Sequence, residues 1–86
     1  MRPIRTSADV GNAVRRARQD RGLSQTDLAT RAGVGRPWLS ELENGKRTVE
    51  LGRTLAVLAA LDLTIELGPA PAAGAIDLDD ILDEPS

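Results

Sequence analysis

Eighty-six residues give room for one small domain and little for a second core, and the absence of Cys and His removes disulfides, thiolate chemistry and the commonest metal ligands. Trp38 is the single aromatic residue, so the core falls to Leu, Val, Ile and Ala, which suits packed helices. The net charge of −2 hides a division: residues 1–53 hold all eleven Lys and Arg against six acids, a balance of +5, while residues 54–86 hold seven acids and no base, so a basic body carries an acidic tail.

The first helix is expected from Ser7 to Arg21. Thr6 is a good N-cap, with Asp9 three residues on in a capping-box arrangement. Val10, Ala13, Val14 and Ala17 recur at helical spacing as its buried face. Gly22 ends it and Leu23 plugs the gap to the second helix, Gln25 to Ala32, which Ser24 caps with Asp27 again at the third position. Gly33 is the residue able to adopt φ > 0 and swing the chain into a turn anchored by Val34. The third helix starts near Arg36 and stops at Asn44-Gly45, with Pro37 in its first turn, where a missing N–H costs nothing. Thr48 is expected to cap a fourth helix, Val49 to Leu61, with Leu51, Leu55, Leu58, Ala59 and Leu61 mostly inward.

The period then changes. Leu61, Leu63, Ile65 and Leu67 alternate with Asp62, Thr64 and Glu66, which predicts a strand over 62–67. A lone strand cannot satisfy its own backbone groups. Its simplest partner is the same segment (Leu63, Thr64, Ile65, Glu66, Leu67) of a second copy across a two-fold axis, giving a homodimer. Arg2 to Thr6 is the other candidate partner, and a plain extension of the fourth helix is the competing reading. Residues 68–86 begin as a Pro/Ala/Gly linker and finish as an acidic stretch holding Ile76, Leu78, Ile81 and Leu82, a composition of the disordered class. That tail either docks on a partner or only keeps the protein soluble. The fold class is thus all-α: a compact bundle of four to five helices over residues 1–61, a dimerising strand over 62–67 and a disordered tail over 68–86.

Within the bundle, Ser24 to Arg47 has the spacing of a helix-turn-helix. Ala29 is small where two helices must cross, Gly33 turns the chain four residues later, and Leu39 and Leu42 form the buried stripe of the second helix of the pair. Such a unit lays that second helix in the major groove of double-stranded DNA, its first residues nearest the base edges. At 100° per residue, Pro37, Ser40 and Glu41 lie opposite the buried stripe, with Arg36 and Trp38 on the flanks. Arg36 is the base-reading candidate, because a guanidinium grips guanine O6 and N7 together. Ser40 can donate or accept at a base edge or a phosphate. Trp38 either presses on the DNA backbone or a thymine methyl, or is partly buried against the preceding helix. Gln25 would present its side chain and its helix N-terminus to a phosphate. Lys46 and Arg47 either clamp the next phosphates or form an ordinary solvated basic turn. Glu41 either accepts from cytosine N4 or repels phosphate. Arg15, Arg16, Arg18 and Arg21 read mostly as a solvated face.

The stretch LSQTDLATRAGVGRPWLSELENGKR resembles the XRE (Cro/repressor-like) helix-turn-helix family, over about residues 7–61. The resemblance implies operator contacts by Gln25 and by the helix start from Arg36 to Ser40, and a buried salt bridge between Glu43 and Arg18. Gly35 stands where that family more often has Ser or Thr capping the third helix. The opening TSADVGNAVRRARQDRGLSQ, the long last helix, LDLTIEL and the acidic tail are similar to the HipB-type antitoxins. That similarity implies a dimer through paired terminal strands, repression of its own operon, and restraint of a HipA-like kinase toxin. The alternatives are a stand-alone or phage-type repressor and a protein-interaction adaptor that does not touch DNA. No nucleophile lies beside an evident base, so an enzyme is not expected, and neither is a cofactor or a metal. No run nears the ~18 apolar residues of a membrane span. The opening MRPIRTSADV lacks a signal peptide's apolar region, so a cytoplasmic location with no membrane partner is expected.

Overall fold

The computed structural model describes residues 3–70, which form four helices: α1 (Ser7–Asp20), α2 (Gln25–Ala32), α3 (Arg36–Glu43) and α4 (Leu51–Ala60). The acidic segment with Ile76, Leu78, Ile81 and Leu82 lies outside the described residues, as does Arg2. The first two helices begin where the capping residues dictate. Thr6 Oγ1 accepts from the Asp9 N–H at 3.1 Å, and the Asp9 carboxylate accepts in return from the Thr6 and Arg5 N–H groups. Ser24 and Asp27 repeat the reciprocal pair at α2, so orphan donors at both helix starts are satisfied by the chain itself. Gly33 ends α2 at φ +73°, a conformation that costs any residue with a Cβ. The Val34 N–H then returns to the Ala29 carbonyl at 3.0 Å and fixes the turn into α3.

Val14, Leu28, Ala29, Leu39, Leu42, Val57 and Leu61 make one buried cluster. Through it α1 packs on α3, α2 on α3, and α2 on α4. Ala29, Leu39 and Leu42 are buried as their spacing requires. Val10, Ala17, Leu23, Val34 and Trp38 pack against the cluster half-buried.

The fourth helix departs from expectation at both ends and in its facing. It begins at Leu51 with Glu50 as the N-cap; Thr48 does not cap it. The β-branched pair Thr48-Val49 stays out of the helix, as such residues tend to, and Val49 is half-buried against the core. Thr54 then donates its N–H and its hydroxyl to the Glu50 carbonyl. The buried stripe is Thr54, Val57, Leu58 and Leu61, a clean i, i+3, i+4, i+7 series, whereas Leu51 and Leu55 are 65% and 44% exposed and Ala59 is exposed too. Leucine content was therefore a misleading guide to facing here. Leu51 and Leu55 lie on a face that the described residues do not cover.

The strand expected over 62–67 does not form: among the described residues there is no strand, and residues 63–70 carry no regular structure. Helix extension does not occur either. Asp62 adopts φ +57°, with its N–H bonded to the Ala59 carbonyl and the Leu63 N–H to that of Leu58, a Schellman closure in which Asp takes the place usual for glycine. Leu63 folds back half-buried onto the core, while Ile65 and Leu67 are 52% and 95% exposed. The described residues offer this segment no second strand, and a strand without a ladder partner is not stable.

Candidate nucleic-acid interface

The third helix is held from behind by arginines of α1. Arg18 grips the Glu43 carboxylate with two donors, Nε to Oε2 at 2.7 Å and Nη2 to Oε1 at 2.9 Å, and its Nη1 donates to the Leu23 carbonyl at 2.8 Å. Arg15 donates from Nη2 to the Glu43 carbonyl and to Asn44 Oδ1, both at 3.1 Å, and its Nε lies 3.7 Å from Glu43 Oε1. The Glu43 side chain is fully buried. Burial pushes its carboxyl pKa up, and the hydrogen bonds from Arg18 and Gln25 with the charges of Arg18 and Arg15 outweigh it, so the net shift is downward. Among the described residues no buried side-chain polar atom lacks a partner. The charge at the heart of the domain is thus paired and fully hydrogen-bonded, the condition under which a buried carboxylate is tolerated.

This scaffold turns one side of α3 outward. Arg36, Pro37 and Glu41 are exposed and Ser40 is half-exposed. Gly35 is the N-cap and contributes no side-chain cap, and Pro37 sits in the first turn. Arg36 makes no ion pair among the described residues. Trp38 is half-buried against the core, and the Arg53 guanidinium lies 5.9 Å from its ring centroid, a cation–π distance. Arg53 also pairs with Glu50 at 3.2 Å, so the start of α4 is tied to the start of α3.

Two residues sit differently from expectation. Gln25 is half-buried and its Nε2 donates inward to Glu43 Oε1 at 3.2 Å. The amide is part of the buried network around Glu43. Lys46 is not an isolated cation: its Nζ pairs with Glu41 Oε2 at 2.6 Å. Arg47 follows it, exposed, in the same loop. The basic run on α1 reads mostly as a solvated face, yet its Arg15 turns to the end of α3, and Arg53, which carries no reading in the sequence, meets Trp38. The signal for Arg15 was available: it lies three residues before Arg18 and one after buried Val14, on the flank facing α3, whereas nothing local marks Arg53.

Residues 9–69 match the model of a family described as a helix-turn-helix domain. The chain belongs to the helix-turn-helix family. The HTH-type transcriptional regulator y4mF of Sinorhizobium fredii is 42% identical over 64 residues, which cover 74% of this chain and 84% of that protein. An HTH-type transcriptional regulator of Haemophilus influenzae is 36% identical over 53 residues, 62% of this chain and 54% of the relative. Among solved structures, a chain of a HipB-O4 20mer complex superposes with a TM-score of 0.77 at 27% identity, over 83% of this chain and 100% of that one. A chain of a HipA-HipB-O2-O3 complex does so with a TM-score of 0.76 at 25% identity, again over 83% and 100%. The likeness to XRE-type and HipB-type proteins read from the sequence is borne out, and this helix-turn-helix chain is of the transcriptional-regulator kind. No helix among the described residues is long and apolar enough to cross a membrane.

Proposed function

We propose that this protein is a sequence-specific DNA-binding repressor that acts as a homodimer in the cytoplasm and serves as the antitoxin of a HipA-like kinase, repressing its own operon. The observation that carries the DNA-binding part is the outward side of α3: an exposed Arg36 at the helix start beside Pro37 and Ser40, on a helix locked from behind by Arg15 and Arg18. In this reading α3 lies in the major groove, Arg36 reads a base edge, and Ser40 and the backbone at Gly35 approach the DNA. Gln25, Trp38, Lys46 and Arg47 flank the contact. Replacing Arg36 with Ala is expected to weaken specific binding by about 1–3 kcal/mol and to relax discrimination at one base position. Footprinting on the DNA upstream of its own gene, followed by titration of base-substituted duplexes, measures both. A uniform loss across all duplexes would remove Arg36 from the reader's role.

The dimer reading is supported by the apolar side chains that the described residues leave uncovered: Leu51 and Leu55 on α4, and Ile65 and Leu67 beyond it. Pairing of Leu63, Thr64, Ile65, Glu66 and Leu67 with the same segment of a second copy would supply the missing ladder and cover that face. Two α3 helices would then meet a pseudo-palindromic operator with half-sites about one helical turn, ~34 Å, apart or a multiple of it. Ile65→Pro removes a ladder donor and is expected to turn dimer into monomer in sedimentation while leaving the helical circular dichroism intact. An unchanged dimer would place the interface elsewhere. The kinase partnership draws on the HipA-HipB-O2-O3 complex among the structural neighbours. Recovery of a HipA-like kinase with the protein from its native cell tests it, and recovery of none favours the stand-alone repressor.

A further inference from the structure

We propose that Glu41 is a specificity-determining residue that accepts a hydrogen bond from a cytosine amino group in the major groove, with Lys46 as its counter-ion and positioning residue, not an independent phosphate clamp. The assignment rests on the reading of α3 as the groove helix. With Leu39, Leu42 and Glu43 buried, the side of α3 turned furthest from the core runs between Pro37 and Glu41. Pro37 has no polar group to offer, so Glu41 is the polar side chain closest to the centre of that face.

A carboxylate only accepts. In the major groove, cytosine presents the N4 amino donor, whereas guanine presents O6 and N7 and thymine presents O4, all acceptors. Adenine sets an acceptor, N7, beside its N6 donor. In the base pair the adenine donor is flanked by acceptors on both sides, its own N7 and thymine O4. The cytosine donor has guanine O6 on one side only and the C5–H edge on the other, which leaves room for the second carboxylate oxygen. A bare carboxylate would also repel the phosphates on either side of the groove. Lys46 answers that problem in the structure. Its Nζ lies 2.6 Å from Oε2, and its backbone N–H donates to the Glu41 carbonyl at 3.0 Å, so the turn after α3 fixes both ends of the pair. Only Oε2 is engaged; among the described residues Glu41 Oε1 has no hydrogen-bond partner, and it is left to the base. Both side chains stay about half exposed, as a contact surface requires.

The test is selection of binding sites from a randomised duplex library with the wild-type protein, Glu41→Gln, Lys46→Met and the double variant, followed by dissociation constants on the selected duplex. Wild type is expected to enrich a cytosine at one position of each half-site, with about a tenfold penalty for replacing it. Glu41→Gln is expected to lose that preference. Lys46→Met should bind every duplex more weakly, because it bares the carboxylate, and the double variant should bind more tightly than Lys46→Met alone. A phosphate clamp predicts instead that the double variant binds no better than Lys46→Met, with a salt dependence shallower by about 0.9 in either background, and that result overturns the proposal. So does an enriched site with no cytosine, or with a cytosine preference that survives Glu41→Gln. Wild type that enriches no sequence overturns the groove reading itself, and this assignment with it. Both substitutions are on side chains about half exposed, so the fold is retained in all three variants.

Discussion

Glu43→Ala is expected to unfold this domain at or near room temperature. The fully buried carboxylate takes two hydrogen bonds from Arg18 and one from Gln25. Removing it leaves the mostly buried Arg18 guanidinium without its counter-charge, and losing one partner of a buried pair costs about 3–5 kcal/mol. Stabilities of native domains start near ~5 kcal/mol, and a small core sits at the low end of that range. An exposed pair would cost under ~1 kcal/mol, so the two cases are separated by a thermal melt. A melting curve for Glu43→Ala that overlays the wild type would rule out a buried bridge.

The same carboxylate gives the domain a pH dependence of known sign. Its pKa in the folded protein is depressed, because Arg18, Gln25 and Arg15 outweigh burial. The stability it contributes is therefore fully present above the ordinary glutamate value of about 4.3 and is lost as pH falls through the lower native value. Asp9 and Asp27 are depressed as well, chiefly by the backbone N–H groups of Arg5 and Ser24 that they accept from. The melting temperature should fall on acidification below that range and stay level between pH 6 and 8, since there is no His to titrate.

What could be read from the residues was what local chemistry decides. Thr6 with Asp9, Ser24 with Asp27, Gly33 and Asn44-Gly45 are start and stop signals that act within a few residues, and α1, α2 and α3 begin and end where they say. The buried face of α3 followed from Leu39 and Leu42 for the same reason. The Arg18–Glu43 bridge did not follow from spacing: it spans twenty-five residues and was implied by family resemblance alone. Gln25 was placed at the surface because a helix start is a good phosphate site, but the nearest strong acceptor is Glu43, which only the folded chain brings within reach. Leu51, Leu55, Ile65 and Leu67 mark the other limit. Their apolar character says that they are covered somewhere, and neither period nor propensity says whether by this chain or another. On the same ground the strand over 62–67 does not form, since pairing is a property of two strands and the described residues contain no second one.

Gly11→Ala is expected to loosen α1 from α3 and, through it, to disturb the helix proposed to enter the groove. Gly11 is buried in the middle of α1, where a methyl would overlap the Leu42 carbonyl oxygen and stand 2.8 Å from that of Glu43. Both obstacles are backbone at the end of α3, so no flexible side chain can swing away. The helices must separate instead, and Arg15 and Arg18, which reach Glu43 from the same face of α1, would be drawn off their acceptors. Overpacking of this kind costs about 1–3 kcal/mol and occasionally more. Against it stands the better helix propensity of Ala, up to ~1 kcal/mol in a helix interior, so the net loss is set by how far α3 can give. Asn12→Ala, one residue on and exposed, gains a similar kind of propensity with nothing to strike and is the matched control. Gly11→Ala should melt several degrees below Asn12→Ala, at about 4–8 °C per kcal/mol for a domain of this size, and should bind its operator more weakly than the control at a temperature where both are folded. Equal melting temperatures would mean that α1 and α3 can part without cost. In that case the close crossing at Gly11 would not be what fixes the angle between α1 and α3, nor the proposed approach of α3 to DNA.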